Sequence, residues 1–238
     1  MRFGHGLRVL LCAMLGLATP ATAQHSPVLV ELFTSQGCAA CPPADKLFEQ
    51  LADREDVIAL GLHVDYWDYI GWADTFGHPQ FSSRQKAYAR ARGRASVYTP
   101  QMVVGGIDEV KGSAEHAVMG TIREHLGNTF LRGSVQLSVT GEPGGEIVIE
   151  ADAREGLAYA VDVQLVRYRD SERVEITGGE NNGRSVLYRN IVTSWRSLGA
   201  WDGVDVFRYR LMAEGDDAVV VVIQEQGQGP VLAAARRR

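Results

Sequence analysis

Cys38 and Cys41, in the stretch "LFTSQGCAACPPADKLF", are the residues of this chain best suited to chemistry. Two thiols at C-x-x-C spacing can close a local disulfide, exchange with a partner disulfide, or hold a soft metal such as Cu(I). Exchange requires one thiolate to attack a disulfide sulfur and a second thiol to resolve the mixed disulfide. The metal reading would add Met102 as a soft ligand and has no third strong ligand nearby. The staple reading needs nothing beyond the two cysteines. Ala39 and Ala40 between them add neither charge nor a side-chain donor.

The N-terminal residues bear on the redox compartment. Arg2 and Arg8 flank the start of an apolar run, Val9 to Ala18, and Ala21-Thr22-Ala23 forms a small-residue cleavage site. This pattern describes a secretory signal peptide over residues 1–23. The apolar core is too short to span a bilayer, so no stable membrane insertion is expected after cleavage. Cleavage also removes Cys12 and leaves Cys38 and Cys41 as the remaining cysteines. In an oxidising compartment a disulfide between them is chemically reasonable. Loss of Arg2 and Arg8 takes the formal charge from −5 to −7. A mildly acidic secreted protein has no electrostatic case for binding nucleic acid.

The elements that must position the cysteines follow from periodicity. Val28 to Phe33 reads as a buried strand interrupted by one acid, Glu31. Ala44, Leu47, Phe48, Leu51 and Ala52 recur at helical spacing, and Val57 to Val64 is a second strand-length run. Strand, helix, strand implies a parallel pair with a crossover helix. Pro42-Pro43 supplies no N–H, so a helix beginning there gives Cys38 less dipole support than an ordinary helix end. Gln80 to Arg92 reads as a polar helix, and "QMVVGGIDEVKG" as a hairpin. Ser113 can cap a further helix. From residue 131 on, short alternating runs separated by "GEPGG", "GGENNG" and "EGDD" suggest a β sandwich. The expected division is residues 24–130 and 131–238.

The C-x-x-C loop between strand and helix, together with Thr99-Pro100 ahead of a hairpin, resembles the thioredoxin superfamily over about Val28 to Leu126. "VELFTSQGC", "HVDYWD" and "GENNGRSVLYRNIV" look like an uncharacterised family of secreted bacterial proteins that joins such a domain to a C-terminal β domain. The resemblance implies an α/β thioredoxin-like domain followed by an all-β sandwich-like domain, exported to the bacterial periplasm. It implies a thiol–disulfide oxidoreductase acting on protein or peptide thiols and disulfides, without a cofactor. Cys38 would then be the exposed attacking thiol and Cys41 the resolving one. Glu31 would be the buried proton acceptor. Thr99 and a cis Pro100 would contact substrate. From the parallel pairing of the two strands, Trp67 in the aromatic loop falls near the sheet rim, where it either packs that loop or faces the substrate. His63 and His78 read as structural.

Overall fold

The computed structural model describes residues 26–128, 133–142, 144–153 and 155–237. The expected signal peptide over residues 1–23, with Cys12, lies outside them. Strands β1 (Val28–Thr34) and β2 (Val57–His63) are buried along their whole length. They pair in parallel from Val28↔Val57 to Thr34↔His63, with α1 (Pro42–Ala52) as the crossover. Pro42 and Pro43 take the first helical positions, where a missing N–H costs nothing. β3 (Gln101–Val104) lies antiparallel to β1 and turns into β4 (Asp108–Lys111) at the sheet edge. α2 (Pro79–Ala91) and α3 (Glu115–Gly127) complete the helices.

The later strands do not form a separate sandwich. β7 (Val161–Glu175), β8 (Ser185–Trp201), β10 (Ala218–Glu225) and β11 (Val231–Arg237) extend the first sheet. Its order is β11-β10-β7-β8-β2-β1-β3-β4, eight strands of mixed direction. A second sheet of three strands, β5 (Gln136–Gly141), β6 (Glu146–Asp152) and β9 (Phe207–Met212), runs in the order β5-β6-β9. The protein is therefore mostly β, with three α-helices among the described residues. This corrects the expected α/β thioredoxin-like domain followed by a β sandwich. None of these helices is long and apolar enough to cross a membrane.

The correction turns on one strand. β8 pairs in parallel with β2 at Gly61↔Ile191 and fuses the two halves. A Cβ on Gly61 would stand 3.2 Å from the Arg189 carbonyl oxygen, so glycine permits this approach. Asn190 turns to φ 45° and its Nδ2 donates to the Ala59 oxygen at 2.9 Å, standing in for a ladder bond.

Each face of the large sheet is covered. α2 places Phe81 and Tyr88 over Leu29, Phe33, Leu60 and Leu62. α1 and α3 cover the opposite face at Val28, Val30, Leu32, Val57 and Ala59. Farther along, Ile147, Ile149 and Ala151 of the small sheet pack on Val163, Leu165, Val219 and Val221.

Side chains alternate along a strand, so Glu31 shares the α2 face with Leu29 and Phe33. There Arg84 Nε meets its carboxylate at 2.6 Å and the Tyr88 hydroxyl donates to it at 2.6 Å. The Arg84 guanidinium lies 3.7 Å from the centroid of the Trp195 ring. Burial works against the Arg84 charge, but Glu31 and Tyr88 together outweigh it and raise its pKa. Removing one member of a buried ion pair leaves the other uncompensated. Arg84→Met is expected to lower the unfolding free energy by about 3–5 kcal/mol in urea denaturation. A loss below about 1 kcal/mol would mean that Glu31 is not held by this pair.

Candidate functional site

Cys38 and Cys41 form a disulfide with their Cα atoms 5.4 Å apart. Both residues are buried, 1% and 0% exposed, while Ala39 and Ala40 between them are exposed. The expectation that Cys38 is the more exposed thiol is thus corrected. Hydrogen bonding, not exposure, distinguishes the two sulfurs. Thr99 Oγ1 donates to Cys38 Sγ at 3.2 Å, and Trp67 Nε1 donates to Thr99 Oγ1 at 2.7 Å. The indole occupies an acceptor site of the hydroxyl, so its proton is available to Cys38 Sγ, with the Tyr66 hydroxyl as a neighbouring partner of Thr99. The Thr99–Pro100 bond is cis. Pro100, Ala44 and Leu32 converge on the space beside Gly112. Trp67 also stacks with Tyr69, whose ring is 81% exposed.

Cys41 is the N-cap of α1 and makes no side-chain cap. The Ala44 and Asp45 amides bond to the Cys41 oxygen, and the Cys41 amide bonds to the Cys38 oxygen. Pro42 and Pro43 have no N–H. The first turn therefore aims no spare amide at a sulfur, in agreement with the weak dipole support expected from the two prolines. The donor seen at a sulfur is the Thr99 hydroxyl.

The cysteine loop is held from two directions. Asp74 accepts the Gln36 amide at 2.7 Å, His63 Nδ1 at 2.8 Å and the Phe76 amide at 2.8 Å. Burial alone would push the Asp74 carboxyl up; His63 and the two amides outweigh it and hold it below its ordinary value. From the other side, Asn181 Nδ2 donates to the Gln36 and Cys38 oxygens, each at 2.9 Å. Asn181 belongs to the turn between β7 and β8, within the "GENNGR" stretch.

On the α1 face, Thr34 Oγ1 donates to Asp45 Oδ1 at 2.7 Å. Asp45 lies one helical turn beyond Cys41, and helical side chains tilt toward the N-terminus. Its carboxyl is held by Thr34 at the C-terminal end of β1. Thr34, Asp45, His63 and Tyr188 line a small cavity between α1, β2 and β8. Burial raises the Asp45 pKa from 3.8 to about 7, against opposing pulls from Thr34 and His63. Burial also pushes the Tyr188 hydroxyl up, with Asp45 and Asp74 adding to the effect.

The site thus gathers Cys38, Cys41, Thr99 and Trp67, with Pro100 alongside. It does not gather Glu31, whose carboxylate is committed to Arg84 and Tyr88 across the sheet. This placement removes Glu31 from the proton-acceptor role expected for it. Met102 is buried in the apolar cluster between β3 and α1. Among the described residues, no group of three or more His, Cys, Asp or Glu side chains is arranged for a metal ion. Asp45, Asp74 and Asn181 are the site residues that sequence reasoning missed. Asp45 carried a signal in its spacing, four residues after Cys41. Asn181 carried one only as part of a turn-like stretch.

Fold and site together define a mostly β, mixed-sheet protein with a buried C-x-x-C disulfide. The chain belongs to the family described as "Protein of unknown function (DUF1223)", which matches residues 29–224. It is similar to a crystal structure of a protein from Agrobacterium tumefaciens, solved as a structural-genomics target. Identity is 29%, over 90% of this chain and 96% of that one, with a TM-score of 0.76. No curated protein matches the chain. The family and the eight-stranded topology replace the thioredoxin-superfamily resemblance.

Asp45 gives the stability a defined pH dependence. Its folded pKa, about 7, exceeds its ordinary value of 3.8. The folded state retains a proton that the unfolded state has lost, so stability falls as pH rises between those values and levels off above about 7. Asn keeps the acceptor for Thr34 and cannot ionise. Asp45→Asn is expected to raise the melting temperature at pH 8 and to leave it nearly unchanged at pH 4. Parallel melting curves for both proteins across this range would remove the assignment.

Proposed function

We propose that this protein exchanges thiols and disulfides with protein or peptide partners through Cys38 and Cys41. The reading places it in an oxidising compartment outside the cytoplasm, and residues 1–23 supply the export pattern that supports this. The observation that carries the proposal is the hydrogen bond from Thr99 to Cys38 Sγ, fixed by Trp67. A donor at a sulfur favours its thiolate, so the pair is polarised with Cys38 as the nucleophile.

In the reduced protein, Cys38 thiolate attacks one sulfur of a partner disulfide, forms a mixed disulfide and releases the other partner sulfur as a thiolate. Cys41 then gives up its proton and attacks Cys38 Sγ. The Cys38–Cys41 bond forms and the second partner thiolate leaves. The protein dithiol is oxidised by two electrons and the partner disulfide is reduced to two thiols. The same steps run in reverse oxidise a partner dithiol. Asp45, one turn from Cys41 and titrating near neutrality, is suited to receive the Cys41 proton.

The burial of both sulfurs favours a second reading, a structural staple. Structural buried cysteines are inert toward partners, so reactivity separates the readings. Reduced Cys41→Ser, incubated with a peptide disulfide, is expected to accumulate a mixed disulfide at Cys38. Cys38→Ser should form one at Cys41 on the order of tenfold more slowly. Intact-mass measurement over time reads both. Equal rates or the reverse order would sink the assignment of Cys38, and no adduct on either protein would leave the staple.

A further inference from the structure

Cys38 and Cys41 are buried although the two residues joining them are exposed. Part of the cover comes from Thr99 and Trp67. Another segment holds the cysteine loop from a distance of 143 residues in sequence. The β7–β8 ribbon closes through Gly183 N to Ile176 O and Arg184 N to Asn181 O, which presents Asn181 at its tip. Asn181 is 2% exposed, and its Nδ2 donates to the oxygens of both Gln36 and Cys38. Because both acceptors are carbonyls, the nitrogen must face them, and the amide orientation is fixed.

Two further features define this contact. Asn181 Oδ1 is buried without a hydrogen-bond partner among the described residues. The net gain from two neutral hydrogen bonds is comparable with the cost of one orphaned buried carbonyl. The orphaned carbonyl thus offsets part of what the two hydrogen bonds contribute, and the contact is weaker than a fully satisfied one. The tip is also seated on the loop that carries the tryptophans. A Cβ on Gly178 would stand 2.7 Å from the Gly71 oxygen, and one on Gly179 3.0 Å from Trp72 Cβ. Trp72 Nε1 in turn donates to Gln36 Oε1 at 2.8 Å. The ribbon tip, the aromatic loop and the cysteine loop thus form one seam at the backbone of Gln36 and Cys38.

We propose that Asn181 is a latch: the β7–β8 tip holds the cysteine loop closed, and its release exposes the Cys38–Cys41 bond to an attacking thiol. The latch regulates access to the site of the exchange reading and so extends it. Its test uses a reductant that needs no partner recognition, which keeps the two claims separable.

The probe is tris(2-carboxyethyl)phosphine on the oxidised full chain at neutral pH. The phosphine attacks a sulfur, the S–S bond breaks, and water supplies the oxygen of the phosphine oxide and the protons of two thiols. Alkylation and intact mass read the thiols over time. Asn181→Ala is expected to speed reduction on the order of tenfold. Asn181→Asp keeps the shape but presents a carboxylate to two carbonyls, and should match or exceed the alanine variant. Gly178→Ala retains the Asn181 side chain but displaces the tip that carries it, and should act in the same direction. Rates in all three equal to that of the unaltered protein would overturn the latch. If a variant does not fold, the unaltered protein decides. A reduction rate unaffected by low urea marks local opening and supports the latch; a rate that follows global unfolding overturns it. Faster reduction in the variants without any exchange with peptide disulfides would keep the latch and remove the exchange reading. Exchange with no change in reduction rate would do the reverse.

Discussion

One buried carboxylate, Asp74, ties the cysteine loop to the sheet. It joins the cysteine loop through the Gln36 amide, β2 through His63, and its own segment through Phe76. A carboxylate taken out of water is tolerable only when donors replace the lost hydration. Here those donors come from three stretches of chain, so the charge is stabilised only when all three have folded together. Once Gln36 is fixed, its side chain can meet Trp72 and Thr75, and its carbonyl can meet Asn181. The placement of Cys38 between Thr99 and Asn181 follows from that anchor.

The β-rich half of the chain is part of the site. It supplies Asn181 at one end of the β7–β8 ribbon and Tyr188 beside the Asp45 cavity. It also supplies Gln164, Trp195 and Gln224, which complete the surroundings of Arg84 and so fix Glu31. The two faces of β1 are thereby assigned different work. The odd positions carry a closed structural ion pair under α2. The even positions lead through Thr34 to a titratable acid under α1.

Much of the cysteine region was legible in the sequence. The run before Cys38, the stripe after Cys41 and the hairpin after Pro100 are short-range patterns, and each became β1, α1 and the β3–β4 hairpin. The fold class was not legible because it rests on β8. That strand, "SVLYRNIVTSWRSLGAW", mixes Arg, Ser and Asn with apolar residues and shows no clean alternation. Only its pairing with β2 through Gly61 and Asn190 explains its composition. β11, "VLAAARR", was hidden in the same way by its alanines and terminal arginines. The acid was misplaced for a related reason. An acid inside an apolar strand marks burial, but strand parity decides which face receives it, and Glu31 points away from α1. Asp45 lay in plain view at helical spacing from Cys41, among ordinary surface-like residues. Asn181 depended on a contact across more than half the chain, which no local pattern encodes.

The role proposed for the Cys38–Cys41 bond is that of a redox couple that opens and closes without loss of the fold. The direct measurement is equilibration of the pair in dithiothreitol redox buffers at neutral pH, with alkylation and mass spectrometry for the thiols and far-ultraviolet circular dichroism at every point. The account expects one reversible two-electron transition, the same from either direction, with the secondary structure unchanged throughout. A disulfide that opens only as the secondary structure is lost would contradict it and leave the bond as a staple.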